Sequence, residues 1–284
     1  MANNLILNRL FTIAALQKLV DNLDTNVYSA IKKQYIDISI SYTNAEAISE
    51  IYDFMRKQYR NQYYYKNTIL NKLLLGVHSI NTTAALTEVP ISTSKVDFVL
   101  INGKAVAYEI KTELDNLDRL DGQIQNYYKA FDHVCVLTCE DYAEILLDKF
   151  KHTNVGVYVL SKKETIKRLK EPAKYSDSLN SNDIFKILNK PEYENIINLY
   201  YGELPSVSQV KFYSKCNELF NEIPFSTAYE LFLKTLKKRN AVSNQYMFSE
   251  VPYELKALIY FSQYRESDYA KLKKFLSLRI GGNC

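Results

Sequence analysis

The sequence predicts a mixed α/β (α+β) protein, in which a mixed β-sheet core is flanked by helices and joined to helical N-terminal and C-terminal regions. Three observations support this fold class. Two runs of β-branched and aromatic residues flank Asn102-Gly103, which is a strong hairpin signal. Strand-like and helix-like patterns then alternate as far as Leu160. Before residue 86 and after residue 171, apolar residues recur at helical spacing.

The central segment predicts the order βββαβ, followed by a further helix and strand. The predicted strands are 86–91, 96–101, 104–111, 134–137 and 156–160, and the predicted helices are 117–131 and 142–150. In the second strand Phe98 and Leu100 occupy one face while Val99 and Ile101 occupy the other. Apolar residues on both faces indicate a strand that is buried on both sides.

The Asn102-Gly103 turn decides the direction of Asp97. Side chains alternate along a strand, so Glu109 and Lys111 project from one face, roughly 6 to 7 Å apart at the backbone. A two-residue loop would pair Asp97 with Tyr108 and turn it to the wrong face, whereas a three-residue loop with a glycine bulge pairs it with Ala107 or Glu109. We predict the bulged register, which brings both carboxylates to one face.

These residue types suit metal-assisted hydrolysis of a phosphodiester. Mg²⁺ (or Mn²⁺) takes oxygen ligands and keeps several waters, so Asp97, Glu109 and the backbone carbonyl of Ile110 are sufficient to hold it. Lys111 beside the metal can orient the attacking water or stabilise charge on the phosphate. Small side chains at Ala105 and Ala107 leave room for a substrate.

The motif of Asp97 followed by Glu109-Ile110-Lys111 on the next strand resembles the PD-(D/E)XK nuclease superfamily. The segment 89–92, Val-Pro-Ile-Ser, resembles the strand context of archaeal Holliday-junction resolvases. Gln123 and Tyr127 on the following helix resemble the Gln-x-x-x-Tyr element of the RecB-like branch. The resemblance implies a restriction-endonuclease-like core.

The same resemblance implies which residues bind the substrate and where this chain departs from the motif. The substrate-binding candidates are Gln123, Ser92, Ser94, Lys95 and Tyr127. Val96 stands where the motif has proline, and no acidic residue stands out on the helix that precedes Leu86. Glu88 is therefore the candidate for an additional metal-binding acid.

Structural alternatives accompany each of these assignments. An Asp-x₁₁-Glu-x-Lys pattern occurs by chance in many long chains, and a charged pair can lie on the solvated face of an edge hairpin. Gln123 can equally be a helix-surface glutamine. The aromatic and basic cluster at 56–66 and the basic cluster of Lys162, Lys163, Lys167 and Arg168 can contact nucleic acid, or can be core and solvated surface respectively.

Composition limits the class of protein. With 284 residues and 47% apolar content the chain can bury a substantial core. The net charge is +4, with a slightly acidic centre between slightly basic ends. Residues 1–20 show no signal peptide and no run is long enough to span a membrane, so a cytoplasmic protein is expected. Four cysteines without zinc spacing are expected to be reduced thiols: Cys135, Cys139, Cys216 and Cys284.

Three regions are predicted: a helical N-terminal region at 1–85, a nuclease-like core at 86–171 and an all-helical C-terminal domain at 172–284. The boundary is placed at Pro172, within a charged connector predicted at 161–180. The leading functional hypothesis is a Mg²⁺-dependent nuclease acting on DNA, in a phage, mobile-element or defence setting. The alternatives are an RNA-directed nuclease and a catalytically silent nuclease-fold module that binds nucleic acid or protein. A homo-oligomer is compatible with each reading.

Overall fold

The computed structural model describes residues 4–239 and 242–282, which divide into two compact units. The helical unit contains the described residues up to Ile80, the short segment Thr112–Leu114, and those from residue 242 onward. The sheet unit contains 81–111 and 115–239. The helices in chain order are α1 Leu7–Leu10, α2 Ile13–Asn22, α3 Asn26–Tyr35, α4 Asn44–Gln58, α5 Gln62–Ile69, α6 Leu120–Tyr127, α7 Ala143–Lys149, α8 Ser181–Ile187, α9 Lys190–Tyr201, α10 Gln209–Glu222, α11 Phe225–Lys237, α12 Gln245–Ser249, α13 Lys256–Ser262 and α14 Glu266–Ser277.

The strands are β1 Tyr42–Thr43, β2 Ala84–Ile91, β3 Ser94–Asn102, β4 Lys104–Lys111, β5 His133–Thr138, β6 Gly156–Leu160, β7 Ile166–Lys170 and β8 Arg279–Ile280. Six of them form one sheet in the order β2-β3-β4-β5-β6-β7. The pairs β2–β3, β3–β4 and β6–β7 are antiparallel, whereas β4–β5 and β5–β6 are parallel. Helices α6 and α7 supply the two crossovers that parallel strands require. The predicted mixed sheet flanked by helices is confirmed.

The β3–β4 turn has an odd number of residues, as predicted from the sequence. Ile101 pairs with Ala105 and Asn102 with Lys104, so three residues separate the last regular pair. Gly103 at the centre has φ of +70°, a left-handed conformation that glycine adopts without steric cost. Phe98 pairs with Tyr108, and continuing this register by one residue places Asp97 opposite Glu109.

A substitution at this turn tests the conformational requirement. We expect Gly103→Ala to lower the free energy of unfolding by about 1 to 2 kcal/mol, because a Cβ disfavours the left-handed region. The strain comes from φ alone, since no atom lies within 4 Å of an added Cβ. Gly122→Ala is the matched control: an added Cβ there also meets open space, φ is not left-handed, and alanine in helix α6 should be neutral or stabilising. Urea unfolding of both variants measures the difference, and equal effects would contradict this account.

Strand β7 lies where the sequence analysis expects a charged connector. Residues 166–170 pair antiparallel with β6 at the edge of the sheet. Lys167, Arg168 and Leu169 are exposed, so the strand has little of the apolar alternation that identifies a buried strand. Charged side chains are common on edge strands because they discourage pairing with another chain. The connector prediction for 166–170 is therefore wrong.

Helices α8 to α11 belong to the sheet unit, which differs from the predicted boundary at Pro172. Ile184 on α8 and Phe232 on α11 share one buried core with Val99 and Val136 of the sheet. The rings of Phe131 and Phe232 lie 6.1 Å apart. The apolar stripes of these helices are thus covered by the sheet and by α6.

The last helices instead join the N-terminal ones in the helical unit. The Asn44 side chain donates to the Phe275 carbonyl at 3.0 Å and accepts from the Tyr28 hydroxyl at 2.8 Å, with all three residues buried. Strands β1 and β8 pair through Tyr42 with Ile280. The predicted C-terminal domain 172–284 is consequently shared between the two units.

Candidate functional site

Asp97 and Glu109, the two predicted metal-binding acids, lie on adjacent central strands and are both buried, with 8% and 2% of their surface exposed. An ionised carboxylate in such surroundings requires hydrogen bonds, a counter-charge or a metal. The contacts of each carboxylate therefore define the site.

Glu109 is bound by two groups that the motif also predicts. Its Oε1 atom lies 3.0 Å from the ammonium of Lys111, which is itself 7% exposed. Its Oε2 atom accepts a hydrogen bond from the hydroxyl of Tyr127 on α6. The Lys111 ammonium also donates to Oε1 of Gln123 at 2.9 Å. Gln123 is thus part of the site rather than an isolated surface glutamine.

Asp97 contacts the backbone of the neighbouring strand. Its Oδ2 atom accepts from the Ile110 amide at 2.9 Å, which fixes the carboxylate beside the peptide that links Glu109 to Ile110. The predicted ligand at Ile110 is the carbonyl, whereas the contact in the structure uses the amide nitrogen of that residue.

The hydroxyl of Tyr127 is influenced by both carboxylates. Burial raises the pKa of its hydroxyl strongly, and the negative charges of Glu109 and then Asp97 raise it further. Both acids therefore act on one hydroxyl and lie on the α6 side of the sheet. The same hydroxyl lies 2.7 Å from the carbonyl oxygen of Lys95, so Tyr127 connects α6 to β3 and β4. The structure shows the Tyr127 hydroxyl in contact with Glu109 and the β3 backbone, while its predicted substrate contact stays a prediction.

Glu88 does not join the two buried acids. Its neighbours Thr87 and Val89 pair with Phe98 and Val96, but the φ of Glu88, +54°, interrupts the strand between them, and its side chain is exposed. Leu86 and Val89 both belong to the buried core although they are three residues apart. In a regular strand, side chains at this spacing face opposite sides of the sheet, so the alternation is interrupted between them. Sequence alternation alone does not reveal such an interruption.

The β2–β3 turn, helix α6 and the residues just after it form a polar surface, and only part of this surface is predicted from the sequence. The Asn126 amide donates to Ser94 at 2.9 Å and to Thr93 at 3.2 Å, and the Lys129 ammonium donates to Ser92 at 3.2 Å. Asn126 lies three residues after Gln123 on α6, and Lys129 follows at the same interval just past the end of that helix. This spacing alone does not mark them as functional, because polar residues at such intervals ordinarily face solvent. The exposed side chain of Lys95 lies next along β3.

The donor set suits a hard divalent cation. Across 4–239 and 242–282, no three His, Cys, Asp or Glu side chains are grouped so that they could hold a metal among themselves. Mg²⁺ is nevertheless commonly held by one or two carboxylates together with water. Asp97 and Glu109 supply two carboxyl groups, and the Lys111 ammonium lies beside Glu109.

The sequence contains two other candidate nucleic-acid surfaces. They are the aromatic and basic cluster at 56–66 and the second basic cluster of Lys162, Lys163, Lys167 and Arg168. Tyr64 and Tyr65 are fully buried in the helical unit, and Arg60 lies over both rings while pairing with Glu113 at 3.4 Å. The rings of Tyr64 and Tyr65 therefore belong to the core of the helical unit and are not an exposed stacking surface. Lys167 lies 3.8 Å from Glu140, so part of the second basic cluster is paired at the surface.

The second basic cluster still gives a testable prediction, because exposed ion pairs contribute little and are screened by salt. Replacing Lys162, Lys163, Lys167 and Arg168 with alanine should weaken duplex-DNA binding and reduce the slope of log K against log salt. The reduction is up to about 0.9 per lost phosphate contact. Fluorescence anisotropy at several salt concentrations measures this slope. An unchanged slope would identify the cluster as a solvated face.

The cysteines in the described part of the chain are thiols, as expected. Cys135 and Cys216 are free and buried, and burial raises the pKa of the Cys135 thiol well above its usual value. Cys139 is buried as well, and Cys284 lies outside the described residues. Within the described ranges, no helix has the length and apolar character needed to cross a bilayer.

Fold and site together define a mixed α/β protein with buried carboxylates and a buried lysine on its central strands, contacted by a glutamine of helix α6. The chain belongs to the family described as bacteriophage P4 protein cII, whose model matches residues 55–258 and so includes the whole sheet unit. Protein cII of Enterobacteria phage P4 is 24% identical over 157 residues, which is 54% of this chain and 58% of the relative. The match thus spans less than two thirds of that curated relative. No solved structure matches the chain.

Proposed function

We propose that the protein is a metal-dependent nuclease that hydrolyses phosphodiester bonds in DNA. The observation that carries this proposal is the convergence of Asp97, Glu109, Lys111 and Gln123 from β3, β4 and α6. The βββαβ order of β2 to β5 around α6 also agrees with the nuclease core that the sequence resembles. Membership of a phage protein family agrees with the proposed phage setting.

Asp97 and Glu109 would hold Mg²⁺ or Mn²⁺ together with the Ile110 carbonyl, and the bound ion would supply a Lewis acid and an activated water. Lys111 lies beside both Glu109 and Gln123, where its ammonium stabilises negative charge on the phosphate. Tyr127 holds Glu109 in place through its hydroxyl. Burial of these groups strengthens each charge interaction because little water screens it.

One observation favours the alternative of a catalytically silent module. Both oxygens of Glu109 already have partners inside the protein, Lys111 and Tyr127, as in a structural ion pair. A silent module would bind nucleic acid or protein with the same surface and would not need a metal. An RNA-directed nuclease would use the same groups as the DNA-directed enzyme.

Cleavage assays separate these functions. Purified protein is incubated with supercoiled DNA, linear single- and double-stranded DNA, and RNA, with Mg²⁺, Mn²⁺ or EDTA. We expect cleavage of DNA that EDTA abolishes, and anomalous density between Asp97 and Glu109 in Mn²⁺-soaked crystals. Cleavage of RNA alone would support the RNA-directed nuclease. A folded protein that cleaves none of these substrates with either metal would support the silent module.

A further inference from the structure

Lys129 lies beside the β2–β3 turn, where its ammonium is bound by neutral side chains. Its ammonium donates to Ser92 Oγ at 3.2 Å and to Asn126 Oδ1 at 2.9 Å. Among the described residues, no carboxylate lies within ion-pair distance of it. Lys149 and Lys215, by contrast, each lie 2.8 Å from a carboxylate oxygen. The charge of Lys129 is therefore held by neutral groups and is not offset by a neighbouring anion.

The neutral groups around Lys129 are hydrogen-bonding groups at one turn. The β2–β3 turn presents the side chains of Ser92, Thr93 and Ser94, with the first two exposed. Asn126 donates to Thr93 and Ser94 while it accepts from Lys129, so helix and turn are joined by one network. Hydroxyl groups can donate to an anion as well as accept, and an ammonium beside them supplies charge. This combination suits a phosphate oxygen.

The network lies at the same end of the sheet as the proposed catalytic residues. Ser94 begins β3 and precedes Asp97 by three residues, about 10 Å along the strand. Lys111 ends the neighbouring antiparallel strand β4 at this end. Successive phosphates of one DNA strand are about 3.4 Å apart along the helix axis, so the separation corresponds to a few nucleotides.

We propose that Lys129, with the hydroxyls of Ser92, Thr93 and Ser94, binds a backbone phosphate of the nucleic acid a few nucleotides from the bond held at Asp97 and Glu109. This inference rests on the proposed function and adds a positioning site to it. Lys129 does not touch the reacting atoms. It fixes the position of the strand, so its contribution is to substrate affinity rather than to the chemical step.

The competing account is structural, because Lys129 also joins α6 to the β2–β3 turn. Lys129→Gln separates the two roles, since a glutamine amide can still donate to Ser92 and Asn126 but carries no charge. Lys129→Arg keeps the charge. The matched control is Lys104→Gln, an exposed lysine at the opposite end of β4, about 23 Å from Lys111.

The test measures affinity for a fluorescent 20-base-pair DNA duplex across a salt series, with Ca²⁺ in place of Mg²⁺ so that the duplex stays intact. Lys129→Gln should bind about fivefold more weakly at 0.15 M salt and lower the log-log slope by about 0.9. Lys129→Arg and Lys104→Gln should bind as the wild type does. In cleavage assays Lys129→Gln should raise KM and leave kcat unchanged.

The outcomes for this site and for the nuclease proposal are distinguishable. If wild type binds the duplex but never cleaves, and Lys129→Gln still loses affinity and slope, the phosphate site stands and the nuclease proposal fails. If wild type cleaves and Lys129→Gln keeps its KM and slope, the phosphate site is overturned alone. Equal loss of affinity and thermal stability in the Gln and Arg variants would also overturn it, in favour of the structural role.

Discussion

Lys111→Ala should lower the rate of DNA cleavage by about 10²-fold or more while divalent-metal binding remains largely intact. Lys111 is proposed to act on the phosphate or the attacking water, and removing one group that stabilises transition-state charge typically costs on the order of 10²- to 10³-fold. It is not a metal ligand in this proposal. Cleavage kinetics and Mn²⁺ binding by calorimetry measure the two properties separately.

Asp97→Asn should abolish both cleavage and metal binding. A cation held by two protein carboxylates loses half of its charged ligands in this variant. Asparagine keeps an oxygen that can accept from the Ile110 amide, whereas alanine would leave that buried donor unsatisfied at about 1 to 3 kcal/mol. Asp177→Asn, at an exposed position outside the site, is the control. Metal binding that survives in Asp97→Asn would remove Asp97 from the ligand set.

Folding must be measured beside activity, because Lys111→Ala leaves Glu109 buried without its cation. Breaking a buried pair on one side costs about 3 to 5 kcal/mol. The double variant Glu109→Gln and Lys111→Met removes both charges, so it should be more stable than Lys111→Ala and still inactive. Cleavage that persists in folded Lys111→Ala and Asp97→Asn would place the catalytic centre elsewhere.

Alkaline pH should unfold the protein between about pH 11 and 13. Burial raises the pKa of the hydroxyls of Tyr28, Tyr52, Tyr108 and Tyr127 well above the usual value of 10. The sign follows from proton binding: above pH 10 the unfolded chain loses these protons and the native protein keeps them, so the free energy of unfolding falls as pH rises. Below pH 10 these hydroxyls are protonated in both the folded and the unfolded protein, so they do not make the free energy of unfolding depend on pH.

Each such tyrosine removes about 1.4 kcal/mol per pH unit above 10, and a folded domain is typically stable by about 5 to 15 kcal/mol. Four buried tyrosines therefore exhaust that stability within one to three pH units. Tyrosinate absorbance at alkaline pH should rise together with the loss of far-ultraviolet circular dichroism. Tyr127→Phe should flatten the pH dependence, and Tyr246→Phe, at an exposed position, should not. Complete tyrosinate formation in a protein with native circular dichroism would contradict the expectation.

The local signals of the site were readable in the sequence. Asn102-Gly103 between two β-branched runs predicted the hairpin, and the chemistry of Asp97 and Glu109 required the three-residue turn that the structure contains. The sequence placed Gln123 near the site as a predicted phosphate contact, whereas its hydrogen bond with Lys111 is seen only in the structure. Asn126 and Lys129 were missed because polar residues at helical spacing are ordinarily solvent-facing, and only the neighbouring turn gives them partners.

The sequence by itself determined the central hairpin, its β3–β4 register and the shared face of Asp97 and Glu109, because hairpin turns and strand alternation act over a few neighbouring residues. Only the tertiary structure decided which surface each apolar helix face covers. Phe232 packs in the core of the sheet unit, whereas Phe275 packs in the helical unit, although both lie on similar amphipathic helices. An apolar stripe requires burial but does not specify its partner, and the charged edge strand β7 carries almost no stripe at all.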